Sequence, residues 1–154
     1  MKDESEIVDF ENSIGPWLGK TIKIVDYYLQ EALSQNGIDL SKEQMIVLKK
    51  LHDQDGLHQN DLAFLTLRDK SSLTRLLVKM EKKKYIVRKK CKEDKRANNV
   101  YLTNLGNETF IKTRPIIKKV LDTMHHTISP EEKELMITIL KKIQYNFNSK
   151  VESL

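Results

Sequence analysis

The sequence predicts a mainly α-helical fold that carries one small β-hairpin. Across most of the 154 residues, apolar side chains recur at steps of three and four, which is the spacing of one helix face. Around the polar segment KCKEDKRANN, residues 90–99, they alternate instead, as strand residues do. Two helix-start signatures, SKEQ at 41–44 and SPEE at 129–132, stand just before apolar-periodic stretches. A chain of this length is expected to form a single domain, residues 1–154.

The first predicted helix covers residues 17–33. Gly15 and Pro16 stand just upstream, where a cap or a bend belongs, and Asn36-Gly37 follows with residues that accept the left-handed conformation. Residues 7–14 either extend this helix or form a separate piece. The apolar stripe is Trp17, Leu18, Thr21, Ile22, Val25, Tyr28, Leu29, Ala32 and Leu33.

Three further helices follow in quick succession. Ser41 and Gln44 form a capping box that predicts a second helix to about Asp53. The segment LHQNDLAFLTL then predicts a short helix, with His58 able to stand at its start. Asp69 can cap the next helix, RDKSSLTRLLVKMEKKK. The predicted inner face of that helix is Leu73, Leu76, Leu77 and Met80.

A charged hairpin and two long helices complete the chain. Tyr85 and Val87 on one side of the polar segment, and Val100 and Leu102 on the other, have the alternation of paired strands. Thr103 can cap a long helix in which Pro115 predicts a bend. SPEE starts the last helix. The apolar stripes of these two helices are Leu105, Phe110, Ile111, Ile116, Ile117, Val120, Leu121 and Met124, and then Leu135, Met136, Ile139, Leu140 and Ile143.

The order helix, short turn, polar-faced helix and charged hairpin predicts a winged helix-turn-helix. Residues 68–96 hold 13 Lys or Arg against four acidic residues, so this window carries +9 while the rest of the chain is near −4. A solvated basic face is the commoner explanation of a charge run. Here the run coincides with the helix and hairpin that such a fold presents to double-stranded DNA, which favours DNA binding.

The sequence also resembles the MarR family of bacterial transcription regulators, from about Trp17 to the final helix. The most specific part is DKRANNVYLTNLG at 94–106, which is similar to the family's wing pattern. LAFLTLRDKSSLTRLLVKMEKKKYI is similar to its helix-turn-helix, and LSKEQMIVLKKL to the preceding helix. The chain departs from the family at Lys84, where the family usually has glycine. The wing pattern falls here on Asp94, Arg96, Val100, Leu102, Thr103 and Gly106.

The resemblance implies a homodimer that binds a pseudo-palindromic operator, with a DNA-binding lobe at about 40–102 and dimerisation helices at 1–36 and 103–154. Ile7, Phe10, Trp17 and the last helix offer more apolar surface than one small lobe should need, which is compatible with that assembly. The implied function is a sequence-specific transcriptional regulator, a ligand-responsive repressor. The sequence encodes neither the operator nor the direction of control in a readable form.

The residue types divide the predicted DNA contacts into three groups. Asp94 can orient the Arg96 guanidinium for entry into the minor groove, although a weak surface ion pair is the alternative. Base-edge candidates are Ser71, Ser72, Thr74 and Arg75. For the hydroxyl residues the alternatives are helix capping by Ser71 and Ser72 and inward packing of Thr74. The cations expected to neutralise phosphates are Lys70, Lys79, Arg88, Lys90 and Lys95.

The resemblance also implies a small aromatic or anionic effector, for which a cleft could be lined by Trp17, Tyr27, Tyr28 and Met45, although these side chains could equally be core. Cys91 is expected to be a redox bystander. The four histidines have no metal-ligand spacing, so neither metal nor cofactor is expected.

Other classes of protein fit the sequence less well. No phosphate-binding loop or hydrolase motif is present, so an enzyme is not expected. A winged helix that binds only proteins would leave the +9 window without a purpose. The apolar runs are far shorter than a bilayer span, and nothing resembles a signal peptide. The sequence therefore predicts a cytoplasmic protein with no membrane association.

Overall fold

The computed structural model describes residues 8–148. Ile7, one of the residues predicted to add apolar surface, lies outside that range. The described elements, in chain order, are α1 (Ile14–Gln35), α2 (Lys42–Asp53), β1 (Leu57–His58), α3 (Gln59–Leu65), α4 (Lys70–Lys82), β2 (Ile86–Lys90), β3 (Asn98–Leu102), α5 (Asn104–His125) and α6 (Pro130–Phe147). The predicted mainly helical winged helix-turn-helix is confirmed.

Side-chain caps fix where the helices begin. Ser41 and Gln44 form the predicted capping box of α2, and His58 Nδ1 accepts the Asn60 amide at the start of α3. Asp69 Oδ1 accepts the Ser72 amide at 2.8 Å and starts α4. Helix α1 begins at Ile14, three residues before the predicted start, so that Gly15 and Pro16 lie in its first turn and not upstream of it. Pro16 is tolerated in its first turn, where backbone amides have no intrahelical acceptor.

Three helices end in the same hydrogen-bonded turn, in which the second residue after the cap bonds back five positions. Ile38 N donates to Leu33 O after α1, Arg68 N to Ala63 O after α3, and Tyr85 N to Met80 O after α4. This Schellman arrangement places one residue in the left-handed region. That residue is Gly37 (φ +69°), Leu67 (φ +52°) or Lys84 (φ +62°), respectively.

The sheet has the order β1-β3-β2, and both pairings are antiparallel. Its two long strands form the predicted hairpin. The first inward-facing residue is Ile86, which is almost fully buried, whereas Val87 is exposed. The predicted Tyr85/Val87 alternation is therefore wrong by one position, because Tyr85 belongs to the turn after α4. The predicted strand residues Val100 and Leu102 do share one face of β3, where Val100 is buried and Leu102 half-buried.

The described residues fall into two compact units, which divide between Ile117 and Lys118. The first unit contains one hydrophobic core, to which α1 through α4, the sheet and the first half of α5 contribute. Three of the four residues predicted for the inner face of α4 are fully buried, and Leu76 is half-buried. The fully buried side chains are Leu33, Leu40, Val47, Leu48, Leu51, Leu62, Leu73, Leu77, Met80, Ile86, Val100 and Thr113.

Helix α5 starts where predicted, because Thr103 Oγ1 accepts the Gly106 amide at 2.9 Å. It runs for 22 residues and continues through Pro115. The side chains of Phe110 and Ile116 are buried in the first unit.

The second unit contains the end of α5 and the helix α6. Ser129 and Glu132 form the predicted capping box, with Pro130 at the first helical position. No α6 side chain of the single chain is buried. In the predicted apolar stripe of α6, Leu135 and Met136 are more than half exposed, whereas Leu140 and Ile143 are half-buried.

Candidate nucleic-acid interface

Four exposed cations of helix α4, Lys82 among them, form no salt bridge with an acidic side chain among residues 8–148. Lys70, Arg75 and Lys79 are exposed on its outer surface, as is Ser71. Asp69, at the start of the helix, has a pKa held below its ordinary value mainly because it accepts the Ser72 amide. Arg75 adds a smaller electrostatic contribution to that shift. The outer surface of α4 is therefore positively charged and can attract a polyanion.

Two residues predicted to contact base edges, Ser72 and Thr74, use their hydroxyl groups in hydrogen bonds within the fold. The Ser72 hydroxyl accepts Arg68 Nη1 at 2.7 Å. The Thr74 hydroxyl donates to Lys70 O at 2.8 Å and accepts Gln59 Nε2 at 2.9 Å. Both residues are half-buried, and their hydroxyls hold the helix-turn-helix together. The Thr74 contacts fit its alternative role of inward packing, whereas the Ser72 hydroxyl binds Arg68 and does not cap α4, since Asp69 does so.

Gln59 is a structural residue that the sequence did not reveal. It is the first residue of α3, and its amide nitrogen bonds to Thr74 across the turn. Its Oε1 atom is buried and has no hydrogen-bond partner among the described residues. A polar residue at the start of a short helix gives no signal of such a contact, because the partner lies 15 residues away on another helix.

Arg88, predicted from the sequence to neutralise phosphates, forms an ion pair within the fold. Its Nη2 lies 3.0 Å from Glu81 Oε1, and its Nε and backbone N–H both donate to Glu81 Oε2. These bonds hold the pKa of Glu81 below its ordinary value of 4.5. The pair joins strand β2 to the end of α4, and thus fixes the direction in which the hairpin leaves this helix.

The wing tip, residues 91–97, is closed by backbone bonds. Cys91 N donates to Ala97 O at 2.8 Å, and Ala97 N donates to Asp94 O at 3.0 Å. Asp94 Oδ1 accepts the backbone N–H of Arg96 at 2.9 Å and forms no ion pair with its guanidinium. The predicted orienting role of Asp94 is therefore corrected: it shapes the turn, and the Arg96 side chain projects without a partner in the described chain.

Lysines along the wing differ in their surroundings. Lys90 and Lys95 are exposed and make no ion pair in the described region. Lys89 Nζ lies 5.2 Å from the centre of the Tyr101 ring, a cation–π contact on the outer face of the sheet. With Arg96, the two unpaired lysines extend the basic surface of α4 along the hairpin.

The four residues predicted for an effector cleft are not brought into one cluster. Trp17, Tyr27 and Tyr28 are exposed on α1, so they are not core, while Met45 is half-buried on α2. Tyr27 and Tyr28 form an edge-to-face pair at 5.5 Å, and Trp17 Nε1 donates to Glu11 O.

Two further properties concern the described range, 8–148. No three His, Cys, Asp or Glu side chains there come close enough together to hold a metal ion. None of its helices combines the length and the apolar character that a bilayer crossing needs.

Known proteins match both the sequence and this arrangement. The family model of the MarR family matches residues 40–97. The HTH-type transcriptional regulator SarZ of Staphylococcus haemolyticus is 30% identical over 129 residues, which span 82% of this chain and 81% of SarZ. The chain belongs to the MarR family. It is thus a winged-helix transcription regulator, as the resemblance in its wing implied.

Solved structures of MarR-like regulators share the fold. The MepR–DNA complex of S. aureus superposes with a TM-score of 0.78 at 29% identity, over 87% of this chain and 98% of MepR. BpsR of Bordetella bronchiseptica, whose DNA binding is regulated by 6-hydroxynicotinic acid, reaches a TM-score of 0.81 at 18% identity, over 95% and 99% of the two chains. At 18% identity, the comparison with BpsR shows a shared fold.

The MarR wing motif has a physical explanation here. Val100 is fully buried beneath the hairpin, and Thr103 caps α5. A side chain at Gly106 would place its Cβ 2.0 Å from Tyr85 O, so only glycine fits. Where the family usually has glycine at the end of the recognition helix, Lys84 adopts the left-handed conformation itself.

Proposed function

We propose that the chain is a homodimeric repressor that binds a pseudo-palindromic operator through α4 and the wing, and that a small aromatic or anionic effector modulates this binding. The observation that carries the proposal is the set of cations without acidic partners on these two elements. Each phosphate that such cations neutralise releases condensed counterions, which drives binding to duplex DNA. They include Lys70, Arg75, Lys79, Lys90, Lys95 and Arg96.

Position and chemistry suggest how these residues divide the work. Arg75 and Ser71, exposed on α4, are the proposed base readers, since arginine pairs with guanine and a hydroxyl accepts or donates at close range. The exposed lysines are proposed to bind phosphates, which positions the lobe on the duplex. Arg96, at the wing tip, is proposed to sense minor-groove width. Residues 40–102 are the proposed DNA-binding lobe.

Unburied apolar surface supports the homodimer. Trp17, Ile22 and Ile24 on α1 are about half exposed, as are Leu135 and Met136 on α6. Burial of such side chains against a second copy would remove apolar area from water, at roughly 25 cal/mol per Å². We propose 1–36 and 103–154 as the dimerisation segments. A two-fold dimer would present its recognition helices about 34 Å apart, one turn of the duplex.

The regulated DNA binding of BpsR supports an effector for this chain as well. The exposed aromatic side chains Trp17, Tyr27 and Tyr28, with Met45, remain the proposed contacts for an aromatic molecule at the dimer helices. A bacterial repressor acts on the chromosome, so the proposed location is the cytoplasm. The proposal includes no catalytic reaction.

The test begins with selection of bound sequences from a random duplex pool, followed by titration of variants on selected and scrambled duplexes. Arg75→Ala should lose about 1 to 3 kcal/mol on the selected site and little on the scrambled one. Lys90→Ala should weaken both equally and flatten the salt dependence, because fewer counterions are released. Arg96→Ala should weaken A·T-rich sites most.

Two results would contradict the proposal. Equal losses on both duplexes for Arg75→Ala would show that another residue reads the bases. Absence of salt-sensitive retention on any duplex would favour a winged helix that binds only proteins. Light scattering of the native chain tests the dimer, and a monomer that binds the palindrome at full affinity would exclude it.

A further inference from the structure

Helix α5 is held within the first compact unit at two places along its length. The first place is its start, where Thr103 N donates to Tyr85 O at 3.1 Å and the Thr103 hydroxyl donates to Lys84 O at 2.6 Å. Gly106 packs directly against the same Tyr85 carbonyl. Contacts at one end locate the start of a helix but do not fix the direction of its axis. That direction depends on contacts farther along α5.

The second place is a cluster around His52, in the last turn of α2. Asn107, Phe110 and Arg114 recur at steps of three and four, so they lie on one face of α5. His52 Nδ1 lies 2.9 Å from Asn107 Oδ1, and its Nε2 lies 2.8 Å from Arg114 Nη2. The Phe110 ring centre lies 5.0 Å from that of His52 and 5.5 Å from Cζ of Arg114. The cluster joins α2 to α5 over about two helical turns.

Hydrogen-bond chemistry determines which ring nitrogen of His52 carries the proton. A guanidinium has only donors, so Arg114 can bind Nε2 only if that nitrogen carries no proton. The neutral imidazole then carries its proton on Nδ1 and donates it to Asn107 Oδ1. The two ring nitrogens are thus bonded to different residues of α5. Two such directed bonds from a half-buried ring restrain the helix that the ring contacts.

We propose that His52, Asn107 and Arg114 are positioning residues that fix the direction of α5 relative to the DNA-binding lobe, and thereby set the half-site spacing that the dimer accepts. The inference rests on the proposed function, because it requires two lobes joined through residues 103–154. Recognition helices about 34 Å apart each lie about 17 Å from the two-fold axis. A change of about 10° in the direction of α5 then moves each helix by about 3 Å, close to one base-pair step. Loss of the cluster should therefore widen the range of accepted spacings.

The first measurement tests the cluster without DNA. Long-range ¹H–¹⁵N spectra of the full chain, in mildly alkaline buffer, distinguish a protonated ring nitrogen from an unprotonated one. The native chain should show His52 with the proton on Nδ1, the signals being assigned by their loss in His52→Gln. Arg114→Ala should shift the proton toward Nε2, because the donor to that nitrogen is removed. A native His52 ring with its proton on Nε2 would overturn the proposal.

The second measurement tests spacing. It titrates a palindrome with the half-site spacing recovered by selection, two palindromes with one base pair more or fewer, and a duplex with a single half-site. The native chain should bind the altered palindromes at least about tenfold more weakly, since misplaced base contacts resemble a mismatched base pair. Arg114→Ala and His52→Ala should lose most of this preference and keep the native affinity for the single half-site.

Two variants serve as controls for the spacing measurement. Lys112→Ala removes an exposed cation of α5 outside the cluster, and should keep the native preference. His52→Gln supplies one amide donor and one acceptor in place of the ring nitrogens, and should restore most of it. Circular dichroism establishes that each variant is folded under the conditions of the titration.

The possible failures are distinguishable. An unchanged spacing preference in both alanine variants would overturn this inference alone. The same conclusion follows if the variants lose as much affinity for the single half-site as for the palindrome, which a general loss of stability would cause. A native chain that binds no duplex, or that is a monomer in light scattering, would refute the proposed function and this inference with it.

Discussion

Gly106→Ala tests the junction between the wing and α5. Gly106 is buried as the third residue of α5, directly against the turn that follows the recognition helix. An added Cβ would lie 2.0 Å from Tyr85 O and 2.9 Å from Tyr85 C, whereas ordinary contact begins at 3.4 Å. Because both atoms belong to the backbone, no side-chain rotation relieves the overlap. Either the turn or the start of α5 must move by more than 1 Å.

The Tyr85 carbonyl is also tied in place. It accepts Thr103 N at 3.1 Å, and the Thr103 hydroxyl donates to Lys84 O at 2.6 Å. Overpacking costs about 1 to 3 kcal/mol, and loss of one of these bonds adds about 1 kcal/mol. We therefore expect Gly106→Ala to lower the free energy of unfolding by about 3 kcal/mol. For a chain of this size that corresponds to a drop in Tm of about 6 to 12 °C.

Thermal unfolding followed by circular dichroism, at matched protein concentration, measures this shift. Gly19→Ala is the control, because no atom lies within 4 Å of a Cβ added at that position in α1. Alanine at an open helical site should leave Tm unchanged or raise it slightly. If Gly106→Ala melts within about 2 °C of the native chain, the steric explanation of this glycine is wrong.

Three further predictions concern the same lobe. Lys84→Gly should raise the free energy of unfolding by about 0.5 kcal/mol in urea titrations, because φ is +62° there, whereas the control Lys79→Gly, inside α4, should lower it by about 1 kcal/mol. Glu81→Gln should cost about 1 kcal/mol at pH 7. Since hydrogen bonds from Arg88 lower the pKa of Glu81, that difference should shrink as pH falls below 4.5, and a constant difference down to pH 3 would refute the pairing. Cys91→Ser should keep the DNA affinity of the native chain, and a peroxide-induced release that the variant abolishes would contradict this.

Sequence reasoning succeeded where a local chemical rule decides the structure. Ser41, Asp69, Thr103 and Ser129 each mark a helix start because a short side chain accepts an amide three residues ahead. Sequence reasoning failed where an element depends on a partner far away in the sequence. Strand β1 has two residues, too few for alternation to appear, and it exists because Leu57 pairs with Val100.

The candidate site shows the same division. The charge run, the hairpin and the wing motif predicted a basic surface. They did not show which arginines of that surface form ion pairs within the fold. Arg88 forms a salt bridge with Glu81, seven residues earlier, while Arg75 forms none among the described residues, and this difference depends on how β2 folds back over α4.

The contacts around α4 indicate why its ends matter for binding. At its start, Asp69 caps the helix and Thr74 bonds to Gln59 of α3. At its end, the Tyr85–Met80 backbone bond and the Glu81–Arg88 pair fix the exit of the chain. A helix held at both ends does not need to be ordered when it meets DNA, so less conformational entropy opposes binding. The Gln59–Thr74 bond and the Glu81–Arg88 pair would thus contribute to affinity through the order that they impose on α4.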